Sequence, residues 1–191
     1  MAVSGDDLRR VMAKFATGIT VVLARDPENH DNIFGMTVNS FTSVSLNPPQ
    51  VLVCVGRQRF MHGILTGGGP FSISILSEPQ AAVSQYFAGQ REPDLEQAVR
   101  YRELQGGLPG IEGALGWMEC KLAAVYPGGD HDILLAEVTS VEVADPAAHG
   151  AAAEAAGRAE AADAGVADPA ALARPLLFFN SRYGRMAPEE A

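Results

Sequence analysis

The apolar residues of this chain fall mainly into short β-branched runs separated by glycine, proline and asparagine, the pattern of strands joined by tight turns. "TGITVVLAR" (17–25) predicts a buried strand, and the turn-rich "DPENHDN" follows it. "FGMTVNSFTSVSLNPPQ", from Phe34 to Gln50, predicts the next strand and a hairpin partner of the first. It carries Thr37, Asn39, Ser40, Thr42, Ser43, Ser45 and Asn47, an unusual density of neutral hydrogen-bonding groups, and stops at Pro48-Pro49. "QVLVCV" (50–55) and "PFSISIL" (70–76) are a third and a fourth strand. "ALGWMECKLAAVY" (114–126) alternates, with Met118, Cys120, Leu122, Ala124 and Tyr126 on one face. "PGGDH" then turns the chain into "DILLAEVTSVEV", an antiparallel hairpin, and "RPLLFFNSRY" (174–183) predicts a final strand.

Helical spacing is rarer. Ser4 caps a first helix with Asp6 and Asp7 in its opening turn, and Leu8, Val11, Met12 and Phe15 follow at helical intervals. In "SEPQAAVSQYFAGQ" (77–90), Ser77 and Gln80 fit a capping box and Gly89 ends the helix. "GRQRFMHGILTGGG" (56–69) reads as a loop with one helical turn, and 90–113 as charged loops. From Ala144 to Ala173, 16 of 30 residues are alanine, with too few large apolar side chains to anchor a helix on a core. The segment 144–173 reads as an insertion, either solvent-exposed or covering part of a subunit interface. Strands adjacent in sequence, with few helices between, predict a mainly β, antiparallel barrel with a few peripheral helices, as a single domain over 1–191.

Composition narrows the function. The net charge of −9 argues against nucleic acid or an anionic membrane surface as partner. Cys54 and Cys120, far apart and each in an apolar run, read as packed thiols. The N-terminus lacks the apolar core of a signal peptide and no run approaches a membrane span, so a cytoplasmic protein is expected.

Acid–base and metal machinery is scarce. His30, His62, His131 and His149 are scattered without metal-ligand spacing, and no metal site is expected. No dinucleotide fingerprint or nucleophile elbow is present, and Glu119 and Glu137 read as solvent-facing. Chemistry supplied by a cofactor such as a flavin fits this poverty. Alternation puts Thr37, Asn39 and Phe41 on one side of the second strand and Val38, Ser40 and Thr42 on the other. Hydroxyls, an amide and backbone N–H groups there suit a phosphate or the polar edge of a flavin, with Arg57 and Arg59 supplying positive charge. An ordinary edge strand facing water explains the same composition. His131 in "GGDH" suits ligand contact or a surface turn, and Tyr183 suits ring stacking or anchoring of the C-terminal segment.

Read in order, "FATGITVV", "GMTVNSFTSVSLNPP", "FSISIL", "SQYFA", "GGDH" and "PLLFF…Y" closely resemble the flavin reductase family, small NAD(P)H:flavin oxidoreductases with an FMN-binding split β-barrel. The resemblance covers roughly 6–143 and 174–187. It implies a flavin pocket around Gly35, Met36, Thr37, Asn39 and Ser40, continuing through Cys54, Val55 and Gly56 and through Arg59, Phe60 and Met61, with Phe87 near the flavin. It places His131 beside the nicotinamide and flavin rings as the catalytic residue, and Arg182 and Tyr183 on the pyridine nucleotide. It also implies a homodimer with pockets near the interface. Many relatives carry small serines or threonines where this chain has "RQRFMHGIL", which leaves the phosphate contacts open, and the "MH" resembles the branch serving natural-product monooxygenases and halogenases.

The expected activity is reduction of FMN or FAD by NADH or NADPH, the reduced flavin leaving for a flavin-dependent oxygenase or halogenase. The alternative is an electron-transfer protein that keeps its flavin and is reduced by a protein donor.

Overall fold

The computed structural model describes residues 3–145 and 173–187. The alanine-rich insertion therefore lies outside the described residues except at its ends. Helix α1 (Gly5–Met12) is capped as its sequence predicts, Ser4 Oγ accepting from Asp7 N at 3.1 Å. Its apolar stripe meets no core: Leu8, Val11, Met12 and the following Phe15 are all exposed.

A seven-stranded antiparallel sheet dominates. Its strands are β2 (Thr20–Arg25), β3 (Ile33–Val38), β4 (Thr42–Leu46), β5 (Pro49–Gly56), β6 (Phe71–Ile75), β9 (Gly116–Gly128) and β10 (His131–Val143). Their spatial order is β3-β2-β6-β9-β10-β5-β4. A second sheet joins β1 (Thr17–Gly18) to β11 (Leu177–Phe179) and β12 (Arg182–Gly184), and a small ribbon pairs β7 (Tyr101–Glu103) with β8 (Pro109–Ile111). Helices α2 (Phe60–Thr66), α3 (Ala81–Phe87) and α4 (Pro93–Gln97) and a 3₁₀ turn (Glu78–Gln80) complete the described elements.

β2 shows why its run is continuously apolar. Val22 and Ala24 face one core with Val38, Val53, Phe71 and Leu134, while Val21 and Leu23 face another with Val83, Phe87, Trp117 and Leu176. A strand buried on both faces has no polar side to show. β9 keeps Met118, Cys120 and Leu122 together on the first core, as its alternation predicts. Burial pushes the Cys120 thiol up to about 12. Ser77 and Gln80 form the expected capping box, the Ser77 N–H donating to Gln80 Oε1 at 3.0 Å, and Gly89 with φ +108° follows α3.

Four expectations change. Phe34–Gln50 is two strands, not one, because the chain leaves the ladder at Asn39–Phe41. β3 and β4 then lie on opposite edges of the sheet, so these three residues cross the opening of the split barrel. β4 turns into β5 through Asn47-Pro48, a cis peptide, with Leu46 paired to Pro49. The single final strand is a hairpin, since Asn180 (φ 52°) and Ser181 (φ 60°) take the left-handed conformation of a tight two-residue turn. The loop-rich 90–113 segment holds α4, β7 and β8, too short and too broken by Pro and Gly for a periodic signal. Glu119 is buried rather than solvent-facing: its carboxylate accepts from Gly106 N (2.8 Å) and Leu108 N (3.1 Å), pinning that segment to β9. Glu137 is exposed.

Candidate active site

A trough of about 620 Å³ opens where the sheet splits. Its floor is the end of β3 and the crossing, Gly35 to Ser40, together with Cys54 and Gly56 of β5. One wall is Arg59, Phe60 and Met61 at the start of α2, and the other is Phe87, Ala88, Gly89 and Arg91 at the end of α3. His131 enters from the β9–β10 hairpin. The walls are braced through β3: Phe60 packs edge-on against Phe34 at 4.8 Å, and Phe87 lies under Gly35. A Cβ at Gly35 would stand 2.6 Å from both Leu23 and Phe87, so only glycine lets that wall close on the floor.

Of the residues singled out from sequence, twelve meet here: Gly35, Met36, Thr37, Asn39, Ser40, Cys54, Gly56, Arg59, Phe60, Met61, Phe87 and His131. Val55 does not, because strand alternation turns it fully into the core. Arg182 and Tyr183 sit on β12, away from the trough. Tyr183 reaches it only at second hand: its hydroxyl bonds Ser84 Oγ at 3.0 Å, and the Ser84 carbonyl accepts from Thr37 Oγ1 at 2.6 Å. Val38, Ala88, Gly89 and Arg91 line the trough without having been singled out. The signal available for the last was a basic residue just past the helix-ending glycine of "FAGQR".

The hydroxyls of the crossing are largely committed. Ser40 Oγ donates to the Cys54 carbonyl (3.0 Å) and accepts from Cys54 N–H (3.1 Å), standing in for a ladder partner just before β4 begins. Thr37 has given its proton to Ser84. Each retains acceptor capacity only, whereas the Asn39 amide makes no hydrogen bond within the described residues and keeps both donor and acceptor. The strict two-sided alternation expected here fails because the strand ends at Val38, so Thr37, Asn39 and Ser40 all border one trough.

Charge is also distributed differently from the sequence reading. Arg57 is no ligand cation, since it holds Asp132 Oδ1 through Nε (2.8 Å) and Nη2 (2.7 Å). His62 Nε2 meets Asp132 Oδ2 at 2.8 Å. This clamp ties the start of β10 to α2, and the Arg57 and His62 bonds hold the Asp132 carboxyl below its usual range. Beside it, His131 Nδ1 bonds Asp130 Oδ1 at 2.8 Å, which lowers the Asp130 pKa. With Nδ1–H donated to Asp130, Nε2 is the atom His131 offers to a ligand. It lies over Gly56, 3.5 Å from where a Cβ there would be, next to the Arg59 stem.

The profile described as "Flavin reductase like domain" matches residues 12–187. An NADH-dependent FAD reductase of Streptomyces globisporus is 44% identical over 135 residues, covering 69% of this chain and 72% of that protein. The reductase component of 4-hydroxyphenylacetate 3-monooxygenase from Thermus thermophilus is 39% identical, covering 72% and 84%. The solved structure of the Streptomyces globisporus NADH:FAD oxidoreductase SgcE6 with NAD and FAD fragments superimposes with TM-score 0.74 at 33% identity, covering 100% of this chain and 99% of that one. On its profile, its relatives and its split β architecture, this chain belongs to the flavin reductase family.

Proposed function

We propose that this chain is an NADH:flavin oxidoreductase that supplies reduced flavin to a separate flavin-dependent monooxygenase or halogenase component. One observation carries the reading: the trough combines aromatic and thioether walls, an uncommitted amide, two arginines and an offered imidazole nitrogen, with no carboxylate in its lining. That donor set fits a flavin nucleotide. Asn39 matches the alternating donors and acceptors of the ring edge, Thr37 and Ser40 accept, Phe87 and Met36 cover apolar faces, and Arg59 suits the phosphate.

A flavin held here would supply the redox chemistry, accepting hydride from a nicotinamide. The chain's own work is positional. His131, oriented by Asp130, holds the nicotinamide amide or offsets charge developing on the reduced ring through Nε2. Gly35 lets Phe87 close against β3, and Gly56 leaves space beneath His131 Nε2 and the Arg59 stem. Tyr183 supports α3 from behind, so its effect on the nicotinamide nucleotide, and that of neighbouring Arg182, is read as indirect within one chain.

The domain is read as one unit including the insertion at 144–173, working in the cytoplasm as a homodimer. No helix among the described residues is long and apolar enough to cross a membrane. Anaerobic turnover with FMN or FAD, each with NADH and NADPH, tests the activity. NADH-driven reduction of free flavin is expected, and no reduction in any of the four combinations sinks the reading. Tightly copurifying flavin that NADH cannot reduce would favour an electron-transfer protein instead. Replacing His131 by Ala should cut the hydride-transfer rate or nicotinamide affinity by about tenfold, roughly 1.4 kcal/mol, in stopped-flow flavin bleaching.

A further inference from the structure

Two arginines line the trough from opposite walls, and only Arg59 has been given a task. Arg91 follows the positive-φ Gly89 at the end of α3 and lays its guanidinium over the Tyr86 ring, 4.3 Å from the centroid. Tyr86 packs edge-on against Phe87 at 5.1 Å, and Phe87 is wedged beneath Gly35. The cation is thus held on a stack that ends at the trough floor, not on a free tether. Stacking restricts a long side chain before any ligand arrives, while the guanidinium edge keeps its N–H donors for an oxyanion.

The electrostatic setting points the same way. The chain carries a net charge of −9, yet neither Arg91 nor Arg59 makes an ion pair within the described residues, and no carboxylate lines the trough. Arg25, Arg100 and Arg182 also make no ion pair among the described residues, but only Arg59 and Arg91 stand on the walls of the trough. Two cations without carboxylate partners, on facing walls of one trough, suit a ligand with negative charge at separated points.

Resting on the flavin reading above, we propose that Arg91 is a specificity-determining residue that binds a phosphate of the nucleotide ligands on the wall opposite Arg59. The phosphate belongs to the flavin tail or to the nicotinamide dinucleotide, which share the same chemistry. Charge-assisted bonds from guanidinium to phosphate are among the stronger hydrogen bonds, so their loss should be plain in equilibrium binding.

Isothermal titration of the full chain with riboflavin, FMN, FAD and NAD⁺, for wild type, Arg91→Ala and Arg91→Lys, tests this without turnover. Expected is a roughly tenfold or larger loss of affinity in Arg91→Ala for at least one phosphate-bearing ligand. Riboflavin should stay within about twofold, and Arg91→Lys should recover part of the loss. Loss for FMN and FAD together assigns the ribityl phosphate, loss for FAD alone its second phosphate, and loss for NAD⁺ alone the nicotinamide dinucleotide. Equal loss for riboflavin would show that Arg91 merely shapes the wall through Tyr86, and unchanged affinity for every phosphate ligand would show that it binds none; either overturns the proposal. Wild type that binds none of the flavins would instead overturn the flavin reading itself.

Discussion

Ser40 shows how a residue chosen for one reason can act for another. From sequence its hydroxyl is a flavin ligand; in the fold it satisfies both outward-facing backbone groups of Cys54 where β4 no longer runs alongside β5. Replacing it by Ala strands an N–H and a carbonyl beside the barrel opening, costing about 1–3 kcal/mol. At this chain length roughly 2–4 °C of Tm accompany each kcal/mol. Ser40→Ala should therefore melt several degrees lower, with flavin affinity following only through the displaced floor; unchanged Tm with weakened flavin binding would restore the direct-ligand role. Most of the trough residues were legible only through the family resemblance that motifs such as "GMTVNSFTSVSLNPP" and "GGDH" carry; the residues read on their own offered little beyond Thr37, Asn39, Ser40, Arg59 and His131. Their hydrogen-bond commitments were not legible, because partners such as Cys54 N–H or the Ser84 carbonyl belong to elements far along the chain.

Between elements, the clamp of Arg57, Asp132 and His62 sets how α2 meets β10, and so how Arg59 and Phe60 face His131. The sequence does show a charged residue on each of these elements, but nothing in it pairs Arg57 with a carboxylate 75 residues later. Read locally, Arg57 looked available to a phosphate. The Asp132 carboxyl is depressed first by Arg57 and then by His62, so its folded pKa lies below the unfolded value of about 3.9. The sign follows from linkage: the contribution to stability is fully present above the unfolded pKa and is lost as pH falls through the folded one. Thermal melts from pH 6 down to pH 2 should show wild type above Asp132→Asn at the neutral end, the gap closing in acid. A gap that stays constant with pH would mean the carboxylate charge contributes nothing to the clamp. The elements missed from sequence, α4, β7 and β8, share one cause: each is three to five residues long, and tertiary packing decides its form rather than local pattern, β8 lying on β2 and β6, β7 pairing with β8, and α4 resting on α3.

For the whole molecule, the unresolved balance is apolar surface. The antiparallel architecture was legible from strand spacing, but which apolar faces stay uncovered depends on how the sheet curves, and that no window of sequence reports. Leu46 is 91% exposed and Val143 84%, with Val44 and Val141 also open. Register puts them at one end of the sheet, because β5 pairs β10 from Gly56 with His131 to Gln50 with Glu137, and both Leu46 and Val143 lie beyond that last pair. Apolar side chains gathered at a sheet end, and a helix α1 whose stripe meets nothing, are what a chain shows when a second copy covers it. The His131 end of the same strands carries the trough, so charge introduced at Leu46 and Val143 leaves the site untouched in one chain. A doubly substituted Leu46→Asp, Val143→Asp protein should sediment at the mass of one chain where wild type sediments at two, at the same micromolar concentration, and should keep its riboflavin affinity if the trough is complete within each copy. A variant that dissociates and loses riboflavin binding would show that the partner copy contributes to the trough. Wild type that sediments as one chain at every concentration would remove the dimer altogether, and a variant that stays dimeric would move the interface to α1.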